Sequence, residues 1–220
     1  MEIPDIKISD SEVLRYLGYR GSGADGRVTA LIKELSAVFA ENTVPKSVYG
    51  VWDCRIDSSA VALDGMTINS ENLARHLAGC SSVALLAATL GTEADLLIRR
   101  YSVQDMEKAV IAKAVCAVMI EAYCDKIEVE IAQKNGPGTT RFSPGYGDFD
   151  ISCQKDIVKL LNCDRRIGLT LTGGYMLTPS KSVTAVIGFA SQCVATAPAG
   201  CDAPAGCARC VFKHCECRRV

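Results

Sequence analysis

The chain has 220 residues, enough for one domain with a sizeable core, and its 49% hydrophobic and 22% charged residues give the balance of a soluble globular protein. A net charge of −1 provides no basic excess to neutralise a phosphate backbone, which argues against a nucleic-acid partner. The start, Met1-Glu2-Ile3-Pro4-Asp5, has no basic segment followed by an apolar run, and the longest nearly uncharged apolar run, Val83 to Leu90, is too short to cross a bilayer as a helix. The expectation is therefore a cytoplasmic protein with no membrane partner.

In chain order, Ser11 opens a short amphipathic stretch with Val13, Leu14 and Leu17 at helical spacing. Arg27 to Ala40 repeats apolar residues every three or four positions and predicts a helix. Val48 to Ile56 alternates imperfectly and reads as a strand. Ala60 to Ile68 reads as a hairpin turning at Asp64-Gly65, a pair that tolerates positive φ. Ser70 predicts an N-cap for a helix ending near Gly79, and Val83 to Thr89 a fully buried strand. Thr92 is the expected cap of the next helix, with Glu93 and Asp95 favoured in its first turn. Asp105 to about Lys134 is the longest helical pattern. It is apolar on almost every face from Ala109 to Ile120 except at Lys113, and so should be central. Asn135-Gly136-Pro137-Gly138 stops it. Ser152 is the expected cap of a helix running to about Asn162. Ile167 to Leu171, Gly174 to Leu177 and Val183 to Phe189 read as strands, with a turn at Thr178-Pro179-Ser180-Lys181 between the last two. Helices and strands do not alternate strictly, which favours an α+β fold with a largely antiparallel sheet over a doubly wound parallel one. Residues 1–190 read as one α+β domain and 191–220 as an irregular cysteine-rich tail.

Several enzyme signatures are missing. There is no Walker loop and no Gly-x-Ser-x-Gly elbow, and Gly18 to Gly23 follows a helical pattern with the wrong spacing for a dinucleotide loop. The only histidines are His76 and His214, and His76 reads as a solvated position on a surface helix, which argues strongly against histidine-based catalysis. Arg141-Phe142-Ser143-Pro144-Gly145-Tyr146-Gly147 is more informative: Arg is a permanent cation able to hold a carboxylate bidentately, Pro144-Gly145 shapes a turn, and Tyr146 offers a ring and a hydroxyl. The loop suits an amino-acid-like or nucleoside-like ligand, and it equally suits an ordinary Pro-Gly turn with a surface Arg. Glu121 falls on one helical face with Val110, Ala114, Ala117 and Cys124. A carboxylate there needs a partner, such as a ligand ammonium or Arg141, unless Glu121 marks where the helix emerges into solvent beside Asp125, Glu128 and Glu130.

The segment Arg141 to Tyr146 is similar to the Arg-Pro-Ala-Pro-Gly-Tyr motif of the activation domain of cobalamin-dependent methionine synthases, with Ser143 in place of Ala. Ile167 to Val183 resembles the same family's Gly-x-x-Leu-Thr-x-Ser-x-x-Met-x-Pro-x-x-Ser-Val segment at a similar distance, and Ile120-Glu121-Ala122 resembles its Glu-Ala helix. The likeness covers about Val83 to Phe189. The first 80 residues look more like the short, separately encoded members. The resemblance implies a twisted antiparallel sheet and a shallow groove for S-adenosylmethionine. It implies docking to a corrinoid-carrying methionine synthase, where a flavodoxin- or ferredoxin-type donor reduces cob(II)alamin and S-adenosylmethionine remethylates it. Arg141, Ser143, Gly145, Tyr146 and Glu121 are the ligand-binding positions it implies. The chain's own part would then be positioning, as an accessory of a methyltransferase, and no catalytic residue is expected.

The tail offers Cys201, Cys207, Cys210, Cys215 and Cys217 within a short reach, a thiolate set that suits zinc or an iron–sulfur cluster. A disordered oxidisable tail, or thiols buried singly, is the alternative. A cluster would suit a redox protein that reactivates another corrinoid methyltransferase without binding S-adenosylmethionine.

Overall fold

Residues Cys80–Thr89 run through the middle of the molecule and are fully buried from Val83 onward. A computed structural model describes residue 6 and residues 8–19 and 25–190. In chain order the elements are α1 (Asp10–Tyr16), α2 (Gly26–Asn42), β1 (Lys46–Asp53), β2 (Arg55–Ile56), β3 (Ala60–Leu63), β4 (Met66–Asn69), α3 (Glu71–His76), β5 (Cys80–Thr89), α4 (Thr92–Gln104), α5 (Met106–Asn135), α6 (Gln154–Leu160), α7 (Cys163–Ile167), β6 (Thr170–Leu171), β7 (Leu177–Thr178) and β8 (Ser182–Ala190). The central sheet has the order β1-β5-β8, with both pairings antiparallel. A second antiparallel sheet joins β2, β3 and β4, and a short one joins β6 to β7. The α+β class and the antiparallel sheet are as the sequence led one to expect.

Successive side chains of a strand point to opposite faces, so β5 feeds two cores. Ala84, Leu86 and Ala88 pack among α1, α2, α4 and α5, while Val83, Leu85 and Ala87 pack beneath the β2-β3-β4 sheet, α3, α6, α7 and Phe149. On the first face α5 is the spine. Asp105 caps it by accepting from the Lys108 amide at 3.2 Å, and its inner residues, from Ala109 to Ile131, are buried along most of its length. Each fully buried Leu or Phe on these faces contributes roughly 1.5–3 kcal/mol.

Long elements fall where the apolar period places them: Arg27–Ala40 lies within α2, Val83–Thr89 within β5 and Val183–Phe189 within β8. The hairpin turns at Asp64 (φ 40°) and Gly65 (φ 75°) as expected. Ser70 does cap α3, accepting from the Leu73 amide at 3.0 Å, although the helix stops at His76.

Other expectations are corrected. Val48 to Ile56 is not one strand: the chain leaves the central sheet at Cys54, whose amide donates to Ser81 at 2.9 Å, and Arg55–Ile56 pairs with β3 instead. Thr92 is not a cap, because Gly91 occupies that position without a side-chain bond. Glu93 and Asp95 do lie in the first turn of α4 as expected, and Asp95 also accepts from the Ser180 amide and hydroxyl, which ties down the 178–181 turn. Ser152 does not cap α6 either: its own amide donates to Asp150 at 2.7 Å within a 3-10 turn, Ile151–Cys153. Ile167 ends a five-residue helix rather than opening a strand. The charged run Asp164-Arg165-Arg166 shows no helical period in so short a segment, which is why the pattern misled.

Candidate functional site

After α5 the chain turns back as a strap, residues 138–142, along the outer edge of β8. Gly138 faces Phe189 and Phe142 faces Val186 as antiparallel bridges. The Phe142 and Val186 amides exchange hydrogen bonds at 2.9 Å, the Thr139 amide donates to Gly188 at 2.9 Å, and the Gly188 amide returns a bond to Thr139 Oγ1 at 3.0 Å. Gly138 is required by close approach: a Cβ there would lie 2.7 Å from the Phe189 ring and 3.0 Å from Ile187.

Strand-like alternation in the strap sends its last two side chains to opposite faces. Arg141 turns to α5. Its Nη1 donates to Glu128 at 2.8 Å, and its Nη2 donates to Asp125 at 2.7 Å and to Glu121 at 3.1 Å. The three carboxylates sit four and three residues apart, on one side of the helix. Phe142 turns the other way, stacking on Phe149 with centroids 6.2 Å apart and lying 5.1 Å from the His76 ring. His76 Nε2 lies 2.7 Å from the Thr140 carbonyl oxygen. His76 is therefore part-buried and holds the strap, which corrects its reading as a solvated surface residue.

The turn beyond the strap closes on itself. The Tyr146 amide donates to the Ser143 carbonyl at 3.2 Å, the Gly145 amide to Phe149 at 2.7 Å, and the Phe149 amide to Tyr146 at 3.0 Å. Gly145 has φ +93°, a conformation that glycine adopts without strain. Pro144 and Phe149 are buried while Tyr146 is 55% exposed, so the turn is anchored from below and presents its aromatic ring outward. Asp148 fixes its far end to α3, accepting from the Ser70 hydroxyl at 2.5 Å and the Glu71 amide at 2.7 Å. These bonds to its charged form hold the Asp148 carboxyl below the usual range, the Ser70 bond most of all.

With all three ionised, the α5 carboxylates outnumber the single Arg141 cation, so the cluster is net negative. Burial pushes the Glu128 carboxyl above its usual range even though Arg141 pulls it down. Chemically, the guanidinium fork suits a carboxylate and the surplus acidic groups suit a cation, so a ligand carrying both kinds of charge matches the cluster.

The structure brings Arg141 and Glu121 into contact and sets Ser143, Gly145 and Tyr146 in the adjoining turn. Cys201, Cys207, Cys210, Cys215 and Cys217 lie outside the described residues, so the metal expectation falls there too. Among the described residues, no group of three or more His, Cys, Asp or Glu side chains is arranged to hold a metal ion. The body cysteines are free, and burial pushes Cys116 and Cys124 up to about 12 and Cys54 and Cys163 up to about 11, which keeps these four as thiols at neutral pH. No helix among the described residues is long and apolar enough to cross a membrane.

No family model matches this sequence, and neither does any curated protein. Among solved structures, a crystal structure of the MetH reactivation domain bound to AdoHcy matches with a TM-score of 0.60 and 15% sequence identity, covering 86% of this chain and 78% of that one. This chain shares the fold of the MetH reactivation domain. The fold implied by the Arg141–Tyr146 and Ile167–Val183 resemblances is thus the one observed.

Within that reactivation-domain fold, four residues of the site were not singled out from sequence. Asp125 and Glu128 were read as the helix entering solvent, although their spacing from Glu121 was visible. Asp148 and Gln154 carried no signal, since each acts on a partner far along the chain: Asp148 on α3, and Gln154 on Thr184 and the Tyr175 carbonyl.

Proposed function

We propose that this chain binds S-adenosylmethionine beside Arg141 and serves as a separately encoded reactivation module for a cobalamin-dependent methionine synthase. The observation that carries this reading is the Arg141–Tyr146 strap and turn, built on a fold shared with a domain that was crystallised with AdoHcy. In this reading Arg141 receives the ligand's carboxylate, the α5 acids Glu121 and Asp125 attract its cationic groups, and the backbone of the Ser143–Gly145 turn meets the adenosyl end. Tyr146 faces outward, where a docked corrinoid partner would cover the ligand. The cobalamin arrives on that partner, and a flavodoxin- or ferredoxin-type protein supplies the electron. The residues of this chain take no acid–base part in the methyl transfer itself. They hold the sulfonium methyl in line with the metal centre, which is a contribution of position rather than acid–base chemistry.

Isothermal titration calorimetry of S-adenosylmethionine tests this, with wild type beside Arg141→Ala and Arg141→Lys. Wild type is expected to bind. Arg141→Ala is expected to lose binding and about 3 kcal/mol of stability, since three carboxylates are left unpaired. Arg141→Lys keeps the charge without the fork and is expected to bind at least about tenfold more weakly while remaining folded. Binding that is equal in wild type and Arg141→Lys removes Arg141 from the site, and no binding by wild type, with or without a corrinoid partner, removes the ligand from the reading.

A further inference from the structure

Both terminal nitrogens of Arg141 are occupied by carboxylates of its own chain. Nη2 is shared by Asp125 and Glu121, whereas Nη1 serves Glu128 alone. An end-on fork to a ligand carboxylate uses Nη1 and Nη2 together, so such a ligand competes with Glu128 for Nη1 and with Asp125 and Glu121 for Nη2. The three acids are also unequally placed. The side chains of Asp125 and Glu121 are 59% and 41% exposed, and water can solvate either one when it is released. Glu128 is only 23% exposed and Arg141 15%, so a released Glu128 stays in a desolvated position.

We propose that Glu128 is a removable occupant of the ligand site: it holds Arg141 when the site is empty, yields to the ligand's carboxylate, and takes up one proton from solvent as it leaves. This rests on the reading that Arg141 receives that carboxylate. The charged and titratable groups facing Glu128 all push the same way once it is displaced. Asp125 and Glu121 repel its charge, Cys124 beneath it is a fully buried thiol, and Arg141, the cation that pairs with it among the described residues, is neutralised by the ligand. Burial already holds the Glu128 carboxyl above its usual range while it is paired, and losing Arg141 pushes it further in that direction. The ligand enters ionised and leaves ionised, so the proton balance is one taken up on binding and one returned on release. By linkage, affinity for a carboxylate-bearing ligand weakens as pH rises, by up to about tenfold per unit where uptake is complete. Glu128 thereby sets both the pH response and the preference for ligands that bring a carboxylate.

The test is calorimetry of S-adenosylmethionine at one pH near 7 in phosphate and in Tris, whose ionisation heats differ widely, using wild type and Glu128→Gln. Wild type is expected to give heats that differ between the buffers with the sign of proton uptake on ligand binding. Glu128→Gln retains shape and hydrogen bonding, and is expected to bind at least as tightly with equal heats in both buffers. Decarboxylated S-adenosylmethionine is expected to bind wild type without uptake. Wild-type binding with equal heats overturns the role of Glu128 and leaves the proposed function standing, as does a Glu128→Gln variant that keeps the wild-type buffer dependence. No binding by either protein overturns the proposed function and this inference with it.

Discussion

On one face of β5, Ala84, Leu86 and Ala88 meet helices long enough to be stable partners, α2, α4 and α5 among them, and apolar contact does nearly all the holding. On the other face, Val83, Leu85 and Ala87 meet a set of short strands and helices of seven residues or fewer, fastened by single polar ties: Asp148 joins its turn to α3, Asp150 closes the 3-10 turn, and Gln154 bonds to Thr184 of the central sheet. The strap runs along the boundary between the two, with Arg141 turned to the helical face and Phe142 to the tied one. The lesson is a division of labour. A face built by hydrophobic burial gives a rigid platform, and a face built from short, individually tied pieces gives a surface whose shape each tie can set.

The largest expected effect separates the two faces directly. Phe149→Ala removes a ring that is 1% exposed and stacked on Phe142, and is expected to cost about 3–5 kcal/mol. Leu86→Ala on the helical face is expected to cost a similar 2–5 kcal/mol, roughly. Their consequences for the site should differ. The Gly145–Tyr146 turn hangs on the Phe149 backbone, so the Phe149 variant is expected to lose S-adenosylmethionine binding even at temperatures where thermal melts show it folded, whereas the Leu86 variant keeps it. Equal loss of binding in both would break the comparison.

The same contrast governs how much was legible from sequence. The helical face reads almost entirely from periodicity, because α2 and α5 are long enough for a 3.6-residue period to declare itself and β5 is buried on both sides. The tied face reads poorly. Five residues of α7 carry no visible period, Ser152 is a good cap residue that the chain does not use as a cap, and Arg55–Ile56 is assigned to its sheet only by where β3 lies. The site lies between these cases. The Arg141–Tyr146 segment and Glu121 stand out by residue type. The involvement of Asp125 and Glu128 depends on the strap lying along the edge of β8, a tertiary fact that no local pattern holds.

A middle-sized effect probes the ties themselves. Gln154 is 5% exposed and bridges two elements: it accepts from Thr184 Oγ1 at 2.9 Å and donates to the Tyr175 carbonyl at 2.8 Å. Tyr175 has φ +61°, an uncommon conformation for a bulky residue, and its loop is also closed by the Tyr175 and Met176 amides bonding to Thr172 and by the Thr172 amide donating to the Met176 carbonyl. Gln154→Leu strands a buried hydroxyl and a carbonyl and is expected to cost about 1–3 kcal/mol. Hydrogen exchange should show the 172–176 amides losing protection ahead of α5. Unchanged protection there would mean that the loop is set by something other than this amide.

The smallest effect carries a sign that pH can read. Ser70→Ala removes the cap of α3, about 1 kcal/mol, and also the first of the bonds that depress the Asp148 carboxyl. A carboxyl depressed in the folded state adds stability above its unfolded value of 3.8, and that stability is lost as pH falls through the folded value. Glu128 runs the other way: its folded value is raised above 4.5, so its share is present below 4.5 and lost as pH rises through the folded value. Denaturant unfolding of wild type and Ser70→Ala across acid pH is therefore expected to show the cost of the substitution largest near neutrality and shrinking as pH falls from 3.8 through the lower folded value, where Asp148 becomes protonated in both states. A cost that stays constant with pH would assign the whole effect to the helix cap and leave Asp148 as a bystander. That outcome would remove one of the ties on which the contrast between the two faces rests, because Asp148 is the residue that fastens the 143–149 turn to α3.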